Sequence, residues 1–253
     1  MKVTFLGTGT SQGIPVIGCT DAVCLSTDPR DNRLRSSVLI EWDNYAYVID
    51  CGPDFRQQML SAKVININGI LFTHYHADHT AGLDDIRPYS HKNGKVQFYA
   101  KNDVIENLKE RFRYIFATKN RYIGAPSVVL NEITNRSFNL KNIKVMPIEV
   151  NHGELKIFGY RFNDFAYITD AKTITTKERE KLQNLKVIVI NALRIDEHPT
   201  HFNLQQSLDF IKKIKPEQAY LTHISHKLGS HSEISKILPK NVSLAFDGLS
   251  IQI

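Results

Sequence analysis

The chain has 253 residues, of which 42% are hydrophobic and 23% charged, a composition typical of a soluble globular protein. No apolar run approaches the roughly 20 residues that cross a bilayer, and the N-terminus lacks the shape of a secretory signal. Three cysteines are an odd and small number that argues against a disulfide framework. We therefore expect a cytoplasmic protein with no membrane partner. The net charge of +6 is spread along the chain, so it favours a nucleic-acid partner only weakly.

Short strands alternate with helices along the chain. Runs of β-branched and aromatic residues predict strands at 3–7, 37–42, 46–50, 69–74, 96–100, 143–150, 165–170, 187–191, 219–223 and 242–246. Apolar residues at helical spacing predict helices at 103–112, about 176–184 and 203–214. Asn203 is the expected N-cap of the last helix, and Pro216 follows its end. No linker or repeat divides the chain, so we expect residues 1–253 to form one α/β domain of mixed sheets with outer helices.

Four of the predicted strands end at or next to a residue that can bind a metal ion. These residues are His74, His152, Asp170 and His223. Sites in open α/β sheets lie at the C-terminal ends of the strands, where loops present side chains over a rigid edge. Such residues at four strand ends are difficult to explain as polar side chains that are buried by chance.

The segment "THYHADH" adds three more candidate ligands next to the first of these strand ends. It contains His74, His76, Asp78 and His79 within six positions. Imidazole and carboxylate groups suit Zn²⁺, Mn²⁺ or Fe²⁺. The alternative is a set of surface histidines beside a helix start, with Asp78 as the N-cap. That alternative is common for any one of these residues, but it does not account for all four with distant partners at equivalent strand ends.

"THYHADH" resembles the H-x-H-x-D-H motif of the metallo-β-lactamase superfamily, and the order of His152, Asp170 and His223 is similar to that of its later ligands. "FLGTGTSQG", "VIDCG" and "THISH" extend the resemblance over nearly the whole chain. The branch it resembles most contains the phosphoribosyl cyclic phosphodiesterase of phosphonate breakdown, and the tRNA 3′-processing endonucleases are more distant. The resemblance implies a four-layer αββα sandwich of two mixed sheets flanked by helices, in the α/β (α+β) class.

The resemblance also implies a centre of two divalent metal ions, zinc or manganese, with seven ligands. They are His74, His76 and His152 for one ion, Asp78, His79 and His223 for the other, and Asp170 as the bridge. Two such ions would lower the pKa of a bridging water, so that a hydroxide attacks a small phosphate ester, with a cyclic ester as one candidate. Asp78 thus counts both as a ligand and as a catalytic residue.

Hydrolysis of a phosphodiester also needs a proton donor for the leaving group. His198 and His201 lie just before the helix at 203, and an imidazole is suited to this task near neutral pH. The resemblance favours His201, with His198 as the alternative donor. The other interpretation is that both are exposed loop histidines.

The N-terminal segment "GCTDAVC" indicates a separate metal site. Relatives in this branch carry a C-x-C-x-x-C stretch here that holds a structural zinc ion, whereas this chain has Cys19, Asp21 and Cys24. His226 is the expected fourth ligand, and two thiolates, one imidazole and one carboxylate suit tetrahedral zinc. The alternative is loss of the site, which would leave two reduced cysteines in a loop.

Three further polar residues have two interpretations each. Asp50 either orients a ligand histidine or simply ends its strand. Arg33 and Arg35 either contact a substrate phosphate or form salt bridges in a loop. The stretch "GTGTSQG" lacks the ending of a phosphate-binding P-loop, so we interpret it as a strand-to-loop turn.

Four functions remain after these considerations. The favoured one is a metal-dependent phosphodiesterase acting on a small phosphate ester. The alternatives are a nuclease of the tRNA 3′-processing type, a thioester or lactone hydrolase, and a non-catalytic metal-binding module. Antibiotic hydrolysis is not expected, because the best-known secreted lactamases lack the equivalents of His79 and Asp170. The sequence leaves the assembly open, with a homodimer as one alternative.

Overall fold

Two seven-stranded sheets lie at the centre of the structure. The computed structural model describes residues 1–253. The strands in chain order are β1 Lys2–Gly7, β2 Ser37–Trp42, β3 Tyr45–Ile49, β4 Gly69–Leu71, β5 Val96–Ala100, β6 Val128–Glu132, β7 Phe138–Leu140, β8 Ile143–His152, β9 Leu155–Phe162, β10 Phe165–Ile168, β11 Val187–Asn191, β12 Gln218–Thr222, β13 Val242–Leu244 and β14 Ser250–Gln252.

Eight α-helices accompany the sheets. They are α1 Phe55–Ser61, α2 Ala77–Thr80, α3 Arg87–Asn93, α4 Asn102–Arg111, α5 Arg113–Phe116, α6 Thr176–Glu180, α7 Leu204–Ile214 and α8 His231–Ile237. Short 3₁₀ segments occur at Pro29–Asp31, Leu83–Ile86 and His226–Leu228. Helix α7 begins at a capping box, in which Asn203 and Gln206 satisfy each other's backbone N–H groups. None of the helices is both long and apolar enough to span a membrane.

Each sheet combines an antiparallel half with a parallel half. The strand order is β14-β1-β2-β3-β4-β5-β6 in the first sheet and β13-β12-β11-β10-β9-β8-β7 in the second. Strands β3 to β6 pair in parallel, and so do β10 to β13. Because parallel strands share one direction, the ends of β3, β4, β10, β11 and β12 can present loops at a common edge.

Three apolar layers hold the sheets and helices together. A central cluster of 20 buried residues, with Phe5 and Tyr160 among them, fills the space between the two sheets. One outer cluster packs α7 against the second sheet through Phe210, and another packs α4 against the first sheet through Leu108. Burial of each such aromatic or aliphatic side chain contributes about 1.5–3 kcal/mol. Helix, sheet, sheet and helix form the four layers of the predicted αββα sandwich, which is confirmed.

The differences from the predicted elements are local. All ten predicted strands occur, but β4 ends at Leu71, so that residues 72–74 leave the sheet before the histidine cluster. Helix α6 ends at Glu180 rather than near 184. The sequence did not predict β6, β7, β9 and β14, nor the short helices near the first sheet. The cytoplasmic location and the single-domain organisation stay predictions.

Candidate metal centre

Strand ends supply three of the seven candidate ligands. His152 is the last residue of β8, His223 follows β12 directly, and Asp170 lies two residues beyond β10. Asp50, which follows β3, has φ 65°, Asp170 has φ 57° and His223 has φ 54°. These left-handed conformations cost about 1–3 kcal/mol each for residues other than glycine, and they concentrate at functional sites. The backbone is therefore strained at the strand ends that deliver the polar side chains.

The first group of ligands consists of three histidines. Ring nitrogens of His74, His76 and His152 lie within 4.8 Å of one another, and His74 Nε2 is 2.9 Å from His76 Nδ1. His152 Nδ1 is 2.9 Å from the carbonyl oxygen of Thr200, to which it can donate, and this leaves Nε2 free to face the group. Burial lowers the pKa of His74 well below its ordinary value, and the neutral imidazole is the form that binds a metal ion.

The second group combines two histidines with two carboxylates. Asp78, His79, Asp170 and His223 place their ligand atoms within 4.8 Å of one another. His79 Nε2 is 3.1 Å from Asp78 Oδ2, and His223 Nε2 is 3.2 Å from Asp170 Oδ1. Both Nε2 atoms are buried and have no partner with hydrogen-bond geometry. Unpartnered imidazole nitrogens that face carboxylate oxygens fit a shared divalent cation.

Asp170 connects the two groups. Its Oδ1 faces His223 and its Oδ2 is 4.0 Å from His74 Nε2. Burial opposes ionisation of Asp170, but His223 and His79 outweigh it and hold the pKa of the carboxyl well below its ordinary value. The bridging position that the resemblance implies for Asp170 thus agrees with its placement between the two sets of histidines.

Asp50 orients one of the ligand histidines. Its carboxylate is fully buried and accepts hydrogen bonds of 2.8 Å from both the N–H and the Oγ1 of Thr73. Its Oδ2 lies 2.7 Å from His79 Nδ1. Because Nδ1 donates to Asp50, Nε2 of the same ring is left to face Asp78 and Asp170. This contact favours the orienting role over the simple strand-end role.

Two glycines allow the Asp50 turn to pack against the histidine motif. A Cβ atom at Gly52 would lie 2.1 Å from the carbonyl oxygen of Asp78, and one at Gly82 would lie 2.1 Å from the carbonyl oxygen of Gly52. No larger residue fits either position without moving the backbone. The "CG" after "VID" is the sequence signal for the first of them, although the pattern alone does not show what it packs against.

Of the two candidate proton donors, His201 is the one that reaches the centre. It is buried, and its Nε2 is 3.2 Å from Asp170 Oδ2. Its Nδ1 lies 2.9 Å from Thr200 Oγ1 and 3.1 Å from His198 Nδ1. Burial lowers the pKa of His201 to about 4, with Asp170 opposing the shift. His198 is more exposed and contacts His201 rather than the ligand groups.

The structure brings together three of the four residues of the candidate zinc site, and Cys24 is not among them. Ligand atoms of Cys19, Asp21 and His226 lie within 4.8 Å of one another, and Asp21 Oδ2 is 3.3 Å from His226 Nε2. The backbone N–H of Asp21 favours the Cys19 thiolate, but a hydrogen bond with Cys24, burial and the charges of Asp21 and Cys24 together outweigh it and raise the pKa of Cys19. Cys24 therefore borders the cluster, although its Sγ also accepts a hydrogen bond of 3.4 Å from the Val16 N–H.

The two arginines that were candidates for phosphate contact are engaged elsewhere. Arg33 is buried and donates to Thr8 Oγ1 at 2.8 Å and to the Ala245 carbonyl at 2.6 Å. Arg35 forms a salt bridge of 3.1 Å with Asp54. Buried hydrogen bonds and a partly buried ion pair occupy these guanidinium groups, so the structural interpretation of both residues holds.

The fold and the two groups of histidine and aspartate side chains agree with those that the resemblance implies. Residues 45–224 match the family described as the beta-lactamase superfamily domain. The chain belongs to this superfamily.

The chain is also similar to individual proteins, both in structure and in sequence. The structure matches that of a new diphosphatase from the PhnP family with a TM-score of 0.93 and 40% identity, over 100% of this chain and 97% of the other. Human tRNase Z, short form, has a TM-score of 0.70 at 19% identity, over 100% of this chain and 99% of the other, which shows a shared fold alone. An octanoyltransferase from Porphyromonas gingivalis is 38% identical over 98% of this chain and 51% of its own length. The chain thus spans about half of that relative.

Proposed function

We propose that this protein is a dinuclear metal-dependent phosphodiesterase that hydrolyses a small phosphate ester, with cyclic esters as the expected class. The observation that carries the proposal is the convergence of seven histidine and aspartate side chains in two adjoining groups. A site of imidazoles and carboxylates, without thiolates, suits hydrolytic Zn²⁺ or Mn²⁺.

Each ligand has a defined place in this proposal. His74, His76 and His152 would hold one ion, while Asp78, His79 and His223 would hold the other, with Asp170 between them. When bound, two divalent ions supply a hydroxide at neutral pH and neutralise the charge that builds on the phosphoryl oxygens. Asp50 keeps the His79 ring in the orientation that presents Nε2 to the centre.

His201 is the proposed proton donor for the departing alkoxide. Its Nε2 faces the centre beside Asp170, and Thr200 and His198 contact its Nδ1. Burial disfavours the protonated ring and lowers the pKa of His201 to about 4, while Asp170 opposes this effect because its carboxylate can accept a hydrogen bond from Nε2–H. A positioned imidazole of this kind contributes about 10²–10⁴-fold to the rate.

The comparisons support phosphate ester chemistry over the alternatives. The PhnP-family diphosphatase is 40% identical over the whole chain, and a Ribonuclease Z from Methanococcus aeolicus is 30% identical over 43% of this chain and 31% of its own length. The nuclease alternative is supported by partial matches of this kind, among them a Ribonuclease Z from Borreliella burgdorferi that is 37% identical over 66% of this chain and 56% of its own length. Octanoyl transfer is the named activity of a protein about twice as long, so an octanoyl thioester belongs among the test substrates but not in the proposal.

A structural zinc ion at Cys19, Asp21, Cys24 and His226 is a further part of the proposal. The support is the clustering of three of these ligands and the buried, unpartnered Nδ1 of His226. Metal analysis of the purified protein tests it directly. Three equivalents per chain agree with the proposal, whereas two equivalents contradict the zinc site and leave the dinuclear centre intact.

The central test is hydrolysis of bis-p-nitrophenyl phosphate by the protein loaded with Zn²⁺ or Mn²⁺. We expect Asp78→Ala to lower kcat/KM by about 10³-fold or more, because the variant loses a ligand and disturbs one ion. The exposed Asp164→Asn is the matched control and should retain activity. Cyclic nucleotides, an oligonucleotide and an octanoyl thioester complete the set of substrates. Full metal loading without hydrolysis of any diester would favour the non-catalytic module.

A further inference from the structure

His223 is held differently from three of the other candidate ligand histidines. Nδ1 of His74, His79 and His152 lies 2.7–3.0 Å from an oxygen atom of another residue, which fixes each ring. Nδ1 of His223 is buried and has no hydrogen-bond partner. The ring of His223 is stacked on that of His201, with 4.9 Å between the ring centroids and 16° between the planes. Its orientation therefore depends on packing and on the backbone that carries it.

The backbone that carries His223 pairs with a segment near the N-terminus of the chain. The N–H of Ile224 donates to the carbonyl of Thr8 at 2.9 Å, and the carbonyl of Ile224 accepts from the N–H of Thr10 at 3.0 Å. His223 has φ 54°, and a residue other than glycine keeps such a conformation only where the surrounding structure imposes it. Segment 8–10 is therefore part of the structure that sets the direction of the His223 side chain.

Asp247 connects this segment to a second loop of the chain. Its Oδ1 accepts a hydrogen bond of 2.7 Å from Thr8 Oγ1, and its Oδ2 accepts one of 2.6 Å from the N–H of Leu34. Arg33 Nη1 donates to Thr8 Oγ1 at 2.8 Å, so the hydroxyl hydrogen is directed to Asp247. The carbonyl of Leu34 in turn accepts a hydrogen bond of 2.8 Å from the N–H of Gly9. One carboxylate thus joins the two stretches of chain that lie behind His223.

Asp247 accepts both hydrogen bonds as a carboxylate. Burial raises its pKa to about 6, and the hydrogen bonds from Leu34 and Thr8 oppose this shift, so the group is largely ionised above neutral pH. A carboxylate offers acceptor sites on both of its oxygens. No candidate metal ligand is among the hydrogen-bond partners of this carboxylate, which are Thr8 and Leu34. Its influence on the centre must therefore pass through these partners.

We propose that Asp247 is a positioning residue of the dinuclear centre, which holds Thr8 in place for the pairing that directs the His223 ring towards the other ligands. This inference rests on the proposed function, in which His223 binds one of the two ions. Two hydrogen bonds, from Thr8 Oγ1 to Asp247 and from the Ile224 N–H to Thr8, connect the carboxylate to the residue next to His223. Partners that contact a ligand directly change metal affinity by about 10–100-fold when they are removed, and we expect about 10-fold for this longer connection.

Amide hydrogen exchange measures the connection itself, without any substrate. In the metal-loaded protein, Asp247→Asn should speed exchange of the Ile224 N–H by about 10-fold, because only one of the two asparagine atoms that face Thr8 and Leu34 can accept a hydrogen bond. Thr8→Val removes the hydroxyl and should have the same effect, whereas Thr8→Ser keeps the hydroxyl and should exchange as the wild type does. The double variant Asp247→Asn/Thr8→Val should exchange no faster than either single variant, because both changes break the same connection.

Stepwise binding of Mn²⁺, measured by calorimetry, shows whether the connection reaches the metal centre. Asp247→Asn and Thr8→Val should lower the affinity for one ion by about 10-fold and leave that for the other ion at the wild-type value, since His223 belongs to one group of ligands. Ser250→Ala is the matched control. It removes a hydrogen bond of 2.8 Å with Thr4 close to the same turn, and it should change neither the Mn²⁺ affinities nor the exchange rate.

Neither measurement uses a substrate, so failure of this inference is distinguishable from failure of the proposed function. Faster exchange together with weaker binding of one ion supports the positioning role, even if no diester is hydrolysed. Faster exchange with unchanged Mn²⁺ affinities would show a purely structural role and overturn the inference, and so would wild-type exchange in Asp247→Asn. Equal weakening of both ions would also contradict it, because His223 lies in one group. If Asp247→Asn does not fold, Thr8→Val and Thr8→Ser provide the same comparison.

Discussion

The two sets of candidate metal ligands differ in how the chain holds them. In the dinuclear centre, His74, His79, Asp170 and His223 are almost completely buried, and strand ends deliver three of the seven side chains. In the zinc cluster, ligands come from an irregular loop, and the side chain of Asp21 is 60% exposed. The sheets hold the first set of side chains in place. The second set lies in a loop, which a bound ion would hold in place.

The contacts behind the ligands show the same difference. The centre has dedicated partners, such as Asp50 for His79 and the Thr200 carbonyl for His152. The loop of the zinc cluster is anchored further along the chain, where Asp31 accepts a hydrogen bond of 2.7 Å from the His231 N–H. The proposed roles differ accordingly: the buried centre would hold catalytic ions, whereas a zinc ion at the second cluster would stabilise the N-terminal loop.

Among the variants that compare the dinuclear centre with the zinc cluster, we expect the largest effect on turnover for His201→Ala. Turnover should fall by about 10²–10⁴-fold because the leaving group loses its proton donor, while the metal content stays at the wild-type value. Steady-state kinetics and metal analysis on the same preparation measure both. If the metal content falls and turnover per bound ion does not, His201 is a ligand rather than the donor.

Asp50→Asn tests whether the orienting contact matters as much as the ligands. The amide cannot accept from His79 and from both donors of Thr73, so activity and metal affinity should fall by about 10–100-fold. Titration with a metal chelator measures the affinity. Asp43→Asn, in an exposed turn between β2 and β3, is the matched control. If Asp50→Asn and the wild type bind metal with equal affinity, the contact between Asp50 and His79 does not orient a metal ligand, and the two sets of candidate ligands do not differ in this respect.

Cys19→Ser tests the other side of the comparison. Loss of one zinc ligand should lower Tm by several degrees, since about 1 kcal/mol corresponds to about 2–4 °C in a chain of this size. The kcat/KM for a diester should stay within about twofold of wild type. Calorimetry and kinetics at saturating Mn²⁺ provide the two values. A fall in kcat/KM as large as that of Asp50→Asn would show that the loop belongs to the active site.

The smallest effect is a pH dependence of stability near the zinc cluster. Burial beside Arg33 lowers the pKa of His231 to about 4 from 6.5. The stabilisation from the neutral ring is thus complete above pH 6.5 and is lost as the pH falls towards 4. Urea unfolding at pH 7.5 and pH 5 should show that His231→Gln loses about 1 kcal/mol less than wild type. An identical loss in both proteins would contradict the buried neutral state.

Much of the centre was predictable because its residues carry chemical signatures. The motif "THYHADH" and the polar residues at strand ends indicated the seven side chains that the structure places in two adjoining groups, and their role as metal ligands stays a prediction. The hydrogen-bond partners of these side chains were harder to predict. The partner of His152, for example, is the backbone carbonyl of Thr200, a group that every residue type has.

Much of the fold was also predictable, because many strands have a distinctive residue pattern. Apolar strands such as "VIVIN" are buried on both faces, so their continuous apolar run is easily recognised in the sequence. Strand β9 was missed because "LKIFGYRF" carries a central glycine and charged residues. Strands β7 and β14 have three residues each and are only partly buried, whereas the equally short β4 and β13 are mostly buried and lie in longer apolar runs. The paired sheets needed the family resemblance rather than the local pattern.

The left-handed backbone at Asp50, Asp170 and His223 links the ions to the folding of the sheet edge. Ligand bonds to Asp170 and His223 would offset the cost of these conformations, so metal affinity and local order share one free energy. Chelation should therefore speed amide hydrogen exchange at these strand ends while the central strands stay protected. Bound ions would thus stabilise the backbone at the ends of β10 and β12, and the order of this sheet edge would depend on the metal concentration.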